Sequence, residues 1–328
     1  TVDTAEDLAV VTPVLEALDG QPDGFAMTSA LAFLEANPDI AARNSQIAQK
    51  SHLQTAPGVA LFRADSSVQG GTGHVMRVLG LAQTWIAAGG RATLVSIDLP
   101  TPLAERFAAV GGSVVRLDGL KTGSTEDLRG TAAAARSVNA GVVVVDGYDF
   151  LPAWLGELSA EGRPVVYVDD YGLPGLPVAA VLMPNAGALP PSSGQVWAGA
   201  PFVPVRAEFQ DAPRPERTFD HTPLRLLLTF GGSDPARMSL RGVAAALAVA
   251  QDIPLHITVL LGPAHPDVAA VRELAAASGE VEVLHDVREM STLLARVDVA
   301  MAAAGTTCWE LATLGVPMLL VPVADNQR

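Results

Sequence analysis

Residues 59–77 run VALFRADSSVQGGTGHVMR, and the order of residue types in that stretch decides the fold. An apolar run of strand length opens it, a loop carrying Gly70, Gly71 and Gly73 interrupts it, and an Ala/Leu-rich helical pattern follows to about residue 88. Strand, glycine turn and helix in succession form the repeating unit of a parallel α/β sheet. The glycines let backbone N–H groups approach a phosphate or a sugar oxygen, and the helix start offers the positive end of its dipole. His74, in the first helical turn, is expected to project into a cleft at the carboxyl edge of the sheet. A helix start favours the neutral imidazole, a form able to take a proton from water or from a hydroxyl. The same residues also suit a plain tight turn that His74 caps.

The alternation continues outward from this stretch. Strands are expected over 59–63, 92–97, 113–117, 142–146, 164–168 and 180–183, six members of one doubly wound sheet. A Pro-rich passage over 189–223 interrupts it. The pattern restarts with strands over 224–229, 255–261, 281–285, 297–300 and 317–321. The reading is therefore α/β, with two Rossmann-like lobes, 58–215 carrying the base and 216–328 binding the nucleotide, and a cleft between them. Ahead of these lie a helical segment over 1–44 and a polar linker over 45–57. That segment holds two helical patterns, 6–18 and 28–37, separated by Gly20-Gln21-Pro22-Asp23-Gly24, with Asp3 or Thr4 as the first N-cap.

Composition narrows the partners. With 328 residues, 49% of them hydrophobic and 17% charged, the chain can bury two or more cores. Its 21 basic and 35 acidic residues leave a net charge of -14, and no Lys/Arg-rich run is present, so nucleic acid is not an expected partner. An anionic small ligand stays open, because backbone amides hold phosphate without a positive field. The one cysteine, Cys308, cannot form an internal disulfide, which fits a reducing cytoplasm. No apolar run reaches the roughly 20 residues that span a bilayer. The chain starts at Thr1 without a methionine or a signal pattern, and is expected to begin inside a longer polypeptide.

Two more glycine turns repeat the unit in the second lobe. Phe230-Gly231-Gly232-Ser233-Asp234-Pro235 follows a strand, with Ser233 or Asp234 as a helix cap and the glycine amides facing a diphosphate. Gly305-Thr306-Thr307-Cys308-Trp309-Glu310 places a carboxylate about one turn into a helix, where it suits a bidentate hold on ribose hydroxyls. Ordinary strand-to-helix turns and a capping or solvated Glu310 explain each turn separately. In the first lobe, Asp146-Gly147-Tyr148 and Asp169-Asp170-Tyr171-Gly172 end strands, so Tyr148 can meet a sugar while the aspartates bond loop amides or simply make turns. His52, His221, His256, His265 and His285 have no glycine loop or partner nearby and are read as surface or packing residues. Gly71-Thr72-Gly73 lacks the third glycine of a dinucleotide fingerprint, no Walker sequence is present, and no metal-ligand cluster stands out. No cofactor is expected.

Taken in order, Arg63-x-Asp65 and Gly71-x-Gly73-His74-x-x-Arg77, then Asp146-x-Tyr148, Asp169-Asp170, Gly231-Gly232-Ser233-Asp234, Gly305-Thr306-Thr307-x-x-Glu310 and Asn326-Gln327 resemble the UDP-sugar hydrolases of pseudaminic acid biosynthesis and their spore-coat polysaccharide relatives. The resemblance covers about residues 59–328 and implies the GT-B fold. It also implies metal-independent release of UDP from UDP-2,4-diacetamido-2,4,6-trideoxy-β-L-altropyranose by inverting attack of water. In it His74 matches the base, with Asp65 and Tyr148 beside it in the catalytic set. Gly71, Gly73, Arg77, Gly231, Gly232, Ser233, Gly305, Thr306, Glu310, Asn326 and Gln327 match substrate and nucleotide contacts. A GT-B glycosyltransferase with a hydroxyl acceptor, or a non-catalytic nucleotide-sugar binder, are the rival readings. Thr1-Val2-Asp3-Thr4-Ala5-Glu6-Asp7-Leu8 is similar to the end of cytidylyltransferases that activate acidic sugars, which implies a native fusion of such a domain to the hydrolase-like unit.

Overall fold

The computed structural model describes residues 5–19, 27–44, 57–66, 71–185, 195–232, 234, 236–262, 265–287, 289–323 and 327. The chain divides into two compact units, Thr1–Thr55 and Ala56–Arg328. The first is helical, with α1 (Ala5–Leu18), α2 (Met27–Ala36) and the short α3 (Pro38–Ala41). Val10, Val14 and Leu18 recur every fourth residue and form the buried stripe of α1. The Asn37 amide donates to the Phe33 carbonyl at 2.8 Å, closing α2 before Pro38 starts the next turn. Asp3, Thr4 and most of the expected linker lie outside the described residues.

In the second unit β1 (Val59–Ala64), α4 (Gly73–Ala87), β2 (Arg91–Ser96), α5 (Thr101–Ala109), β3 (Ser113–Arg116), α6 (Thr125–Ser137), β4 (Ala140–Asp146), α7 (Pro152–Ala160), β5 (Val165–Val168), β6 (Ala180–Met183) and β7 (Gln195–Ala198) follow in order. Their strands form a parallel sheet ordered β3-β2-β1-β4-β5-β6-β7. Both faces are covered, so alternate residues along each strand enter different cores. Leu61, Val143, Val145 and Val165 pack with Leu128 of α6 and Leu155 of α7, while Phe62, Leu94 and Val144 pack with Val78 of α4 and Phe107 of α5.

After α8 (Ala207–Gln210), the elements β8 (Leu224–Thr229), α9 (Met238–Val249), β9 (Leu255–Leu261), α10 (Val268–Ala276), β10 (Val281–His285), α11 (Met290–Ala295), β11 (Val299–Ala303), α12 (Thr306–Thr313) and β12 (Met318–Val321) build a second parallel sheet, ordered β10-β9-β8-β11-β12. Two doubly wound lobes are thus present. Two features differ from the sequence expectation. β7 adds a seventh strand at the edge of the first sheet, inside the passage read as connector, where four partly exposed residues carry no alternation. Phe209 of α8, placed ahead of the lobe boundary at 215, is buried in the second lobe's core.

Each sheet reverses its winding once, between β1 and β4 and between β8 and β11. Crevices open at the carboxyl ends of such switch points. In the first sheet Ala64 pairs with Asp146, so the last residue of β4 lies beside the last residue of β1.

A buried ion cluster sits at the end of β1. Arg63 is fully buried, and its guanidinium donates to Asp127 at 2.9 Å from both Nε and Nη2, and to Asp65 at 2.7 and 2.8 Å. Asp65 also accepts from Thr122 Oγ1 at 2.6 Å, Ile97 N at 2.7 Å and Ser96 Oγ at 2.9 Å. Burial pushes its carboxyl up, but Arg63 and these donors outweigh it and hold the group down to about 2. Asp65, expected in the catalytic set, bonds here so as to tie β1, β2 and the loop before α6 together. Replacing Arg63 by Ala strands the buried carboxylate of Asp127 and the half-buried one of Asp65, and is expected to lower stability by about 3–5 kcal/mol. Urea unfolding of the two proteins measures the difference.

Candidate functional site

A cavity of about 450 Å³ lies between the two lobes and takes its walls from both. The first lobe contributes the turn Gly71–Gly73 with His74 and Arg77 of α4, Tyr148 after β4, and Asp170 and Asn185 beyond β5 and β6. The second contributes the turns after β8, β9, β10 and β11. Switch-point geometry brings these loops together, and glycine lets them approach. A Cβ on Gly232 would lie 2.9 Å from Thr72 Oγ1 across the cleft, and one on Gly73 would lie 3.5 Å from Thr306 Oγ1.

His74 projects from the first turn of α4, with its Nδ1 2.7 Å from Asp146 Oδ1. Asp146 is fully buried, and burial raises its carboxyl. The charge of Arg77 is the largest opposing influence, and with His74 it holds the group at about 2. An ionised acceptor there requires the proton on Nδ1, so in the neutral ring Nε2 carries the lone pair and points away from Asp146.

Arg77, three residues along the same helix face, donates to Asp146 from Nε at 2.7 Å and from Nη2 at 2.6 Å. Its remaining edge donates to Asp170 at 2.7 and 3.1 Å. Burial lowers this guanidinium, but the two aspartates outweigh it and raise it, so Arg77 stays charged. Arg77, expected as a ligand contact, lines the cavity with its guanidinium spread between two carboxylates. Asp170 further accepts from Tyr148 OH at 2.9 Å and from Asn185 Nδ2 at 3.2 Å. Burial and Asp170 raise the Tyr148 hydroxyl, which therefore remains a donor. The edge of one ring meets the face of the other between Tyr148 and His74, with centroids 4.5 Å apart at 82°. Asp169, one residue before, accepts from Tyr171 N at 2.9 Å and Leu173 N at 2.6 Å, as expected of a loop-bonding aspartate.

In the second lobe Gly231 has φ 91°, a conformation open to glycine at little cost. α9 begins later than the sequence suggested, at Met238, and Asp234 bridges the gap by accepting from Met238 N at 2.9 Å and Ser239 N at 2.7 Å. Of the two expected caps, Asp234 lies three residues ahead of the N-cap, Arg237, and reaches the first amides from there; Ser233 lies outside the described residues, as does Asn326. Gly305 directly precedes α12, placing the first residues of that helix, Thr306 and Thr307, on the cavity wall. Glu310 borders the cavity but is nearly buried, and Arg206 Nε donates to its Oε1 at 2.8 Å. Gln327 also lines the cavity, with its Oε1 accepting from Val323 N at 2.9 Å.

Several participants escaped the sequence reading. Arg106 of α5 reaches across the cleft to Asp286 after β10, at 3.0 Å. Arg206 and Asn185 carry no local motif. His265 is a packing residue, as read, but not partnerless: it is buried and within reach of Asp234 and Ser239. Among the described residues no group of three His, Cys, Asp or Glu side chains is placed to hold a metal ion, and no helix is long and apolar enough to cross a membrane.

Residues 226–328 match the glycosyltransferase family 28 C-terminal domain. The chain has a GT-B-like fold. It is 26% identical over 133 residues to the spore coat polysaccharide biosynthesis protein SpsG of Bacillus subtilis, covering 40% of this chain and 39% of that one. It is 29% identical over 288 residues to the UDP-N-acetylglucosamine--N-acetylmuramyl-(pentapeptide) pyrophosphoryl-undecaprenol N-acetylglucosamine transferase of Caulobacter vibrioides, covering 79% of each. The structure of MurG from Acinetobacter baumannii aligns with a TM-score of 0.55 at 19% identity, covering 82% of this GT-B chain and 80% of that one.

Asp65 and Asp146 both sit below the ordinary value of 3.8, at about 2, so each favours the folded state while ionised. That stabilisation is complete above the unfolded value near 4 and is lost as pH falls through about 2. Urea midpoints are expected to drop between pH 4 and 2, more steeply in the wild type than in Asp65→Asn. Equal slopes would contradict the assignment.

Proposed function

We propose that this chain is a nucleotide-sugar enzyme that displaces UDP from the anomeric carbon of a UDP-sugar, with His74 as base and a hydroxyl compound as acceptor. The observation that carries the proposal is the His74–Asp146 pair, set at the switch point of the first lobe and opening onto a cavity whose far wall is built from glycine turns. The family 28 domain match and the donor named for the Caulobacter transferase support the choice of a UDP-sugar.

In this reading Nε2 takes the acceptor's proton as its oxygen attacks the anomeric carbon, and the bond from that carbon to the β-phosphate oxygen breaks. Asp146 holds the ring and stabilises the imidazolium that forms. The departing diphosphate meets the amides of Gly231, Gly232 and Thr306, and the N-terminal end of α12. Gly71 and Gly73 let the first lobe approach the sugar, and Tyr148 contacts it beside the base. Glu310 and Gln327 hold the nucleoside, with Ser233 and Asn326 assigned there on the motif order alone.

A second reading is favoured by that motif order: water replaces the hydroxyl acceptor, and the enzyme hydrolyses a UDP-diacetamido-trideoxy sugar on the route to a nonulosonic acid or a surface polysaccharide. The pattern Thr1–Leu8 supports a companion cytidylyltransferase in the same pathway.

Incubation with UDP-sugars separates these readings. Release of UDP only when an acceptor hydroxyl is added supports transfer, release with free sugar in buffer alone supports hydrolysis, and no release under either condition rejects both. Turnover should fall about 100-fold or more in His74→Ala. In Asp146→Asn the amide no longer demands a proton on Nδ1, and a loss of about 100-fold or more is expected there too. UDP affinity, followed by calorimetry, should change little in His74→Ala. Unchanged turnover in His74→Ala would remove His74 from the role of base, and UDP binding with no release under either condition would leave a non-catalytic binder.

A further inference from the structure

His265 lies in the turn after β9, outside the side chains assigned above to chemistry or to ligand, and its side chain is 1% exposed. The Asp267 backbone N–H donates to Nδ1 at 3.1 Å, which makes Nδ1 an acceptor and puts the proton of the neutral ring on Nε2. Nε2 faces Ser239 Oγ at 3.2 Å and Asp234 Oδ2 at 3.4 Å. Asp234 is itself under constraint, with φ at +39° and both oxygens accepting from the amides of Met238 and Ser239. The backbone of the same turn touches the glycine loop directly. A Cβ on Gly262 would lie 2.4 Å from Gly232 Cα and 2.6 Å from its carbonyl oxygen, and His265 N donates to the Gly262 carbonyl at 3.1 Å.

We infer that His265 is a positioning residue that, through Asp234 and the Gly262–Gly232 contact, sets the direction in which the Gly231–Gly232 amides face the cavity. The imidazole acts as a two-sided spacer: Nδ1 fixes its own turn, and Nε2–H fixes the end of the neighbouring loop. An aliphatic side chain of equal volume would fill the space but supply neither bond. The inference rests on the UDP-sugar reading, because it gives those amides the diphosphate to hold.

The test compares UDP with uridine, which lacks the diphosphate, by calorimetry or by competition. His265→Ala and His265→Asn are expected to bind UDP about tenfold more weakly, the scale of one lost hydrogen bond to a charged group, with uridine affinity unchanged. Asn keeps an acceptor near the Nδ1 position for the Asp267 amide and so preserves the turn, which keeps the test valid if the alanine variant does not fold. His265→Gln, with a donor near the Nε2 position, should recover part of the UDP affinity. In turnover the Asn variant should show the loss in KM for the donor rather than in kcat. Equal weakening of UDP and uridine, or UDP binding as tight as in the wild type, overturns the inference while leaving the enzyme reading in place. A wild-type protein that binds no UDP overturns both.

Discussion

A carboxylate without water around it must be surrounded by donors, and the first lobe is organised around that demand at Asp146. Strand β4 delivers this side chain to the sheet's carboxyl edge after a run of buried valines, and the β1–β4 register sets it beside the turn into α4. Arg77 supplies the charge that keeps it ionised, and the imidazole of His74 takes the direction left over. Because His74 and Arg77 share one face of α4, the helix cannot rotate without breaking three bonds at once. Arg77 then passes the constraint to Asp170, which takes the Tyr148 hydroxyl, so the aromatic wall of the cavity is tied to the same charge.

The lobes solve different problems with one architecture. The first presents side chains: an imidazole, a phenol and an amide, each fixed by an aspartate. The second presents main chain, with Gly232 and Gly262 placed where a Cβ would collide with a neighbour. Gly232 is confined from two directions, by Thr72 of the opposite lobe and by Gly262 of the adjacent turn. Arg106 and Asp286 join the lobes across the same opening, so loops far apart in sequence share one boundary.

Much of this was legible before any coordinates. The β-branched runs punctuated by glycine located nearly every strand, because a strand buried on both faces has little freedom in composition. β7 escaped, since four partly exposed edge residues need no such pattern, and α8 escaped because one turn of helix has no period. At the site, the glycine turns and His74 were visible as local grammar. The resemblance places Asp65 in the catalytic set and Arg77 among ligand contacts, and the bonds that hold both side chains are remote: Thr122 lies 57 residues from Asp65, and Asp146 lies 69 residues from Arg77. Glu310 was read as open to a ribose, whereas Arg206, 104 residues earlier, already occupies one of its oxygens. His265 looked partnerless for the same reason, because its partners belong to a different strand-to-helix connection.

The prevalence of main-chain donors on the second lobe's wall has a genetic consequence. Truncating side chains cannot delete an amide, so alanine scanning across that wall would leave its main-chain groups in place and register chiefly the added bulk at former glycines. Sequence drift there is filtered by volume rather than by chemistry, and a wall of amides keeps its donors in a chain whose overall charge is strongly negative.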